Sequence, residues 1–205
     1  MMACMDPRSP HGASRHRRPP RAATAAVLAV LIGQALTGCT ESNDDPPTGN
    51  EETPLEIELA TGTSGLSRQE REDVQQQVGD ALSTYVVGAF LGDYPRDDFV
   101  SALPAFTSRA AEYAADDLDL LTARRYSDAE DVTAQSLVAR VDVFTAARAA
   151  SGASARVRFR FEANESGGSS TPFALTGRFA LLPVQGEWRI FGYDVSRRDP
   201  QQGAQ

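Results

Sequence analysis

The stretch Ala155-Arg156-Val157-Arg158-Phe159-Arg160-Phe161-Glu162 decides the fold class. Ala155, Val157, Phe159 and Phe161 alternate with Arg156, Arg158, Arg160 and Glu162, a period of two that puts an apolar set on one face of a strand and a charged set on the other. The strand is half-buried, with a charged outer face. Its neighbours carry the same signal. Leu137, Ala139, Val141 and Val143 alternate upstream, and Phe173, Leu175, Phe179 and Leu181 alternate downstream. A last strand over 187–196 holds Trp188-Arg189-Ile190-Phe191-Gly192-Tyr193-Asp194-Val195. The connections at 150–154 and 165–170 are rich in Gly, Ser and Ala, which suits hairpins and predicts a four-stranded antiparallel sheet. Gln185-Gly186 fits a two-residue turn, because glycine accepts the positive φ such turns need. That register opposes Leu181 to Ile190 and Phe179 to Gly192, and sets Asp194 on the face of Trp188.

Before the strands the period is near 3.6. Ser67 and Glu70 form an S-x-x-E capping box, and Val74, Val78, Leu82, Tyr85, Val86, Ala89 and Phe90 follow at steps of three and four. The spacing predicts one amphipathic helix of about 24 residues. Gly92-Asp93-Tyr94-Pro95 stops it. A short helical piece over 97–103 is broken by Pro104, and Thr107 reads as the N-cap of a helix to about Ala115, with Ala110, Ala111 and Ala114 as its packing face. Folded structure is expected from 66 to 197, with a disordered tail at 198–205.

The N-terminal region is of another kind. Residues 1–21 carry Arg8, Arg15, Arg17, Arg18 and Arg21 against one acid, Asp6, and 22–33 is almost wholly apolar. Charged region, apolar region and small-residue cleavage site follow in the order of a secretion signal. The apolar run is broken by Gln34 and Thr37-Gly38 after roughly a dozen residues, short of the about 20 that span a bilayer. Leu36-Thr37-Gly38-Cys39 resembles the lipobox of a bacterial lipoprotein precursor. The resemblance implies cleavage between Gly38 and Cys39 and a diacylglyceryl thioether on Cys39. Residues 1–38 would then be the signal peptide. Two acyl chains give a stable anchor where one is marginal, so the mature chain is expected on the extracytoplasmic face of the cell membrane. From 40 to 54 nothing aliphatic or aromatic is available to bury, while Glu41, Asp44, Asp45, Glu51 and Glu52 alternate with prolines. Residues 39–65 read as a lipidated, disordered acidic tether, a simpler account of the acids than a calcium site.

Cleavage narrows the chemistry. Cys4, His11 and His16 leave with the leader, so Cys39 is the last thiol and no imidazole remains. Intrachain disulfides, Cys or His nucleophiles, Ser-His-Asp triads and zinc sites of nitrogen and sulfur type are excluded from the mature chain. The chain has no lysine, which removes Walker-type phosphate loops, Schiff-base chemistry and Ser-x-x-Lys catalysis. The mature chain keeps 15 of the 20 basic residues and 27 of the 28 acids, a net charge of −12. Such a surface repels nucleic acid and anionic lipid. No cofactor or metal is expected. The remaining 167 residues suit one domain.

A long helix, short helices, then four antiparallel strands ending in a Trp- and Tyr-bearing strand resemble the NTF2-like, or SnoaL-like, α+β superfamily. Among its branches the layout is similar to exported proteins that accompany Mce lipid transporters, which implies an accessory subunit of such a transporter as one role. The resemblance also implies a first helix lying across a bent sheet, with a cone-shaped cavity between them that holds a ligand, an acid–base pair or only core side chains. For catalysis without histidine, a carboxylate in an apolar pocket beside a phenol can move a proton. Asp194 is then the candidate base, with Tyr85 or Tyr126 as donor. In the competing reading Asp194 pairs with an arginine and Tyr85 packs on the helix. A non-catalytic cone would bind an apolar small molecule through Tyr85, Phe179, Leu181, Trp188, Ile190 and Asp194, residues that equally suit a plain core. The face carrying Arg156, Arg158, Arg160 and Arg178 is a candidate surface for an acidic envelope protein or a second copy of the chain, or else a solvated face on which Asp142 sits opposite Arg158.

Overall fold

The computed structural model describes residues 53–199. Strand β1 (Leu55–Thr61) precedes helix α1 (Arg68–Phe90). A 3-10 turn (Val100–Ala105), α2 (Ser108–Asp116), the one-turn α3 (Leu118–Leu121) and a second 3-10 turn (Arg124–Tyr126) follow. The chain closes with β2 (Asp131–Ala146), β3 (Ala149–Asn164), β4 (Ser170–Val184) and β5 (Glu187–Arg198). The fold is α+β, with one mixed sheet of five strands in the order β1-β2-β3-β4-β5.

β2 to β5 pair antiparallel, while β1 runs parallel to β2, with Leu55 opposite Leu137 and Glu58 opposite Arg140. The expected four-stranded, wholly antiparallel sheet is therefore corrected to five strands. Parallel neighbours need a crossover of a dozen residues or more, and here the helices supply it. The disordered tether expected to run to residue 65 does not do so, because Leu55–Thr61 forms β1. Leu55, Ile57 and Leu59 pack against the core while Glu56 and Glu58 face solvent. Leu-Glu-Ile-Glu-Leu has the period of a strand, and that was the signal to read.

The capping box starts α1 as its residues require. The Glu70 amide donates to the Ser67 hydroxyl at 3.2 Å, and the Ser67 amide donates to the Glu70 carboxylate at 2.7 Å. Val74, Val78, Leu82, Tyr85, Val86, Ala89 and Phe90 are all buried against the sheet's inner face and the short helices. Gly88 admits the first 3-10 turn, since a Cβ there would lie 2.5 Å from the Ser101 carbonyl oxygen. Pro104 sits inside that turn instead of ending it, because the turn continues to Ala105. Thr107 caps α2 by accepting from the Ala110 amide at 3.4 Å.

Three features of the strands differ from expectation. The β2–β3 hairpin turns at Ala147 (φ 50°) and Arg148 (φ 66°), so 150–154 lies within β3 and not in a loop. Two-residue hairpins favour positive φ at both central positions, and nothing in Ala-Arg advertises it. Gln185 (φ 54°) and Gly186 (φ 90°) make the other two-residue turn where it was expected. Beyond that turn Leu181 opposes Ile190, but Ala180 opposes Gly192, leaving Phe191 as an extra residue in β5. This bulge moves Phe179 opposite Tyr193, not Gly192. Every residue of β5 after 191 changes face. Tyr193, Val195 and Arg197 turn inward, while Asp194 becomes exposed.

Candidate functional site

The space between α1 and the sheet is filled by aromatic rings. Tyr85, 0% exposed, meets Phe179, Phe106 and Phe90 edge-on with centroids 5.0, 5.6 and 5.9 Å apart. Phe90 stacks on Phe161 at 4.3 Å, Phe161 on Phe173 at 5.3 Å and Phe173 on Tyr126 at 4.7 Å. Of the residues expected to line a pocket, Tyr85, Phe179, Leu181, Trp188 and Ile190 are buried members of this core. Asp194 is not among them. The Tyr85 hydroxyl donates to the Leu121 carbonyl at 2.5 Å, and burial pushes its phenol well above the usual range. The described clefts lie outside the rings. One of about 910 Å³ runs along the outer side of α1, between Val87 and Arg96.

The acid and phenols named for proton transfer are not brought together. Asp194 stands on the outer face opposite Arg178, on the other side of the sheet from Tyr85, so it cannot serve as a base inside the core. Tyr126 lies at the far end of the core, where its hydroxyl donates to Asp199 at 3.2 Å and burial raises its phenol. A buried polar cluster lies here, and sequence reading missed it. The Arg197 side chain, only 6% exposed, stacks on Phe173 at 4.6 Å and on Tyr126 at 5.1 Å. Its Nε donates to Asp199 at 2.9 Å and its Nη1 to the Thr122 carbonyl, while Nη2 finds no partner among the described residues. Asp199, assigned to a disordered tail, is instead held by Arg197, Arg125 and Tyr126. Close by, the Tyr193 hydroxyl donates to Asp117 at 2.7 Å. Burial first, then that carboxylate, raises the Tyr193 phenol. The cluster pins the end of β5 to the short helices. No group of three or more His, Cys, Asp or Glu side chains is placed to hold a metal among the described residues.

The outer face is arranged differently. Glu58, Arg140, Arg156, Arg178 and Asp194 stand opposite one another in a single row across all five strands. Like charges directly opposed destabilise a sheet, and three arginines are so placed. Glu58 takes Arg140 through two bonds of 2.8 and 3.2 Å, which hold its carboxyl below the usual range. Asp142 takes Arg156 at 3.0 Å, so it does not sit opposite Arg158 as expected; Arg158 opposes Val138. The Thr61 hydroxyl donates to Asp142 at 2.7 Å, and that bond, ahead of Arg156, lowers its carboxyl. Arg158, Arg160, Arg178 and Arg198 make no ion pair among the described residues. Arg160 and Arg198 flank Ala174 in a parallel row, and at the opposite end of this face Phe144 is 56% exposed.

No family model, curated protein or solved structure matches the chain. No helix among the described residues is long and apolar enough to cross a membrane. The expected cleavage and lipidation site at Gly38 and Cys39 lies outside the described residues, as does the stretch 40–52.

Proposed function

We propose that the chain is a cell-surface lipoprotein, anchored through Cys39, whose folded head is a non-catalytic interaction module that presents its arginine face to an acidic envelope protein. One observation carries the choice: the interior is occupied by its own rings, while four exposed arginines on one sheet face lack ion-pair partners among the described residues. A mature chain that begins at Cys39 carries a net charge of −12 and has no general need to gather cations in one place. Arginine and aromatic side chains are the types that anchor protein interfaces, and this face offers both. A second copy fits less well, since apposing two such faces sets arginine against arginine. The order of long helix, short helices and four antiparallel strands supports an NTF2-like head, and the likeness to Mce-associated proteins makes a transporter component a fitting class of acidic partner.

Two measurements test the reading. Cys39→Ser is expected to release the protein from washed membranes, and full retention contradicts the anchor. A photocrosslinker at Thr176, on the arginine face, is expected to give one discrete product in intact cells that is lost when Arg156, Arg158, Arg160 and Arg178 become serine. An unchanged product would rule out the arginine surface.

A further inference from the structure

The two layers of the fold carry charge of opposite sign. Residues 66–130, which hold the helices, contain 13 acids and 6 arginines, a net charge of −7. Residues 131–199, which hold β2 to β5, contain 7 acids and 9 arginines, a net charge of +2. Helix α1 covers the inner face of the sheet, so its own outward side is turned away from the arginine face. That side is also shaped. The cleft of about 910 Å³ along it has Val87 and Leu91 in its apolar lining and Asp93, Asp97 and Asp98 at its polar part. Asp80, Thr84 and Val87 follow at steps of four and three, which places them on one exposed stripe of α1. Val100, next to the cleft residue Ser101, is exposed as well. Asp80, Asp93, Asp97 and Asp98 make no ion pair among the described residues. Arg96, which also lines the cleft, is turned to the carbonyls of Gly88, Leu91 and Asp98.

We infer that the folded head associates with a second copy of itself head to tail, the acidic cleft side of one copy lying against the arginine face of the next. Arg158, Arg160, Arg178 and Arg198, which lack ion-pair partners among the described residues, then meet four aspartates in the same condition. Phe144, exposed at the end of the arginine face, supplies an apolar side chain for Val87 and Leu91 of the cleft. No arginine is set against arginine, as happens when two arginine faces meet. The two surfaces differ, so each contact leaves one of each kind free, and copies add in series. Residues 66–199 carry a net charge of −5, so two heads repel at a distance and attract only where the opposed faces touch. The association is therefore weak in dilute solution. It rests on the arginine face being a recognition surface, as proposed above, with a further copy of the chain as its acidic partner.

The test uses the chain from residue 39 onward with Cys39→Ser, which leaves it without a thiol. Thr176→Cys then marks the arginine face and Thr84→Cys the cleft side. The salt is about 0.1 M, where the repulsion is screened beyond about 10 Å. Protein at about 0.1 mM half-fills a contact whose Kd is near that value. A short flexible bismaleimide is expected to join the two single-cysteine variants when they are mixed and to join neither to itself. A chain carrying both cysteines should give a ladder of dimers, trimers and longer species. At about 1 M salt, where the screening length is about 3 Å, the mixed product and the ladder should fall to background. Changing Arg158, Arg160, Arg178 and Arg198 to serine, or Asp80, Asp93, Asp97 and Asp98 to asparagine, should each abolish the ladder without altering the circular dichroism of the fold. Absence of the mixed product, self-crosslinking of the Thr176→Cys variant to the same extent, or a ladder that survives both sets in folded variants overturns the inference. The cysteine pair alone decides the matter where a charge variant fails to fold. The crosslink at Thr176 in intact cells separates the two readings of the arginine face. A product with the mass of two copies supports self-association, whereas an arginine-dependent product of another mass, with no ladder in solution, keeps the surface and overturns the second copy.

Discussion

Arg197 shows how one side chain ties down the end of β5. Its guanidinium is nearly sealed between Phe173 and Tyr126 and bonded to Asp199 and the Thr122 carbonyl. Removing one partner of a buried ion pair strands the other, at a cost of about 3 kcal/mol or more. Arg197→Ala is therefore expected to lower the urea midpoint by that equivalent, whereas exposed Asp194→Asn should stay within about 0.5 kcal/mol of the parent. Equal effects would contradict an inward-facing Arg197 and an outward-facing Asp194. Asp142 sets an acid limit. Its carboxyl is lowered by Thr61 and Arg156, so it adds stability above its ordinary pKa, near 4, and loses that contribution as pH falls through the depressed value. Comparing urea midpoints at neutral pH and about pH 3 should show a smaller drop in Asp142→Asn than in the parent. An identical drop would remove Asp142 from the acid transition. Apart from the pair Arg197–Asp199, these contacts were not legible in advance, because they join residues well separated in the chain.

Two devices shape the strands. The β2–β3 hairpin holds Ala147 and Arg148 at positive φ, where an L-residue with a Cβ is disfavoured by about 1 kcal/mol or more. Asn-Gly suits such a turn. The double variant Ala147→Asn, Arg148→Gly should raise the denaturation midpoint by about 1 kcal/mol in free energy, and a loss of stability would show that the turn conformation is different. Gly177 interrupts the Leu175 to Phe179 alternation with φ 144°, at a place where a Cβ would come within 2.2 Å of the Asp194 carbonyl oxygen. Gly177→Ala should therefore destabilise strongly, read as early thermal unfolding. Helix α1, its capping box, the Thr107 cap and the four long strands were all legible, because each is specified by local period and by caps within a few residues. The Phe191 bulge was not. An extra residue alters the face of everything after it without altering composition.

For the molecule as a whole, the decisive property is that its interior is occupied. An apolar reporter dye or a fatty acid added to the folded head should give neither fluorescence gain nor a shift in melting temperature, since the rings around Tyr85 leave them no entry. Saturable binding of either would reinstate the ligand pocket. On the reading proposed above, the acidic surface keeps the head away from anionic lipid and the arginine face is where an acidic partner recognises it.

Local sequence determined the helices, the strand periods and the exclusion of lysine chemistry, since each depends on residue type alone or within a short window. The alternation over 155–162 also told which side chains turn outward. Tertiary structure alone decided that β1 joins the sheet, that Phe191 reverses the faces of Tyr193 and Asp194, and that Arg140, Arg156 and Arg178 stand in one row. Those outcomes depend on strand register, which is set by pairing between residues up to 82 positions apart.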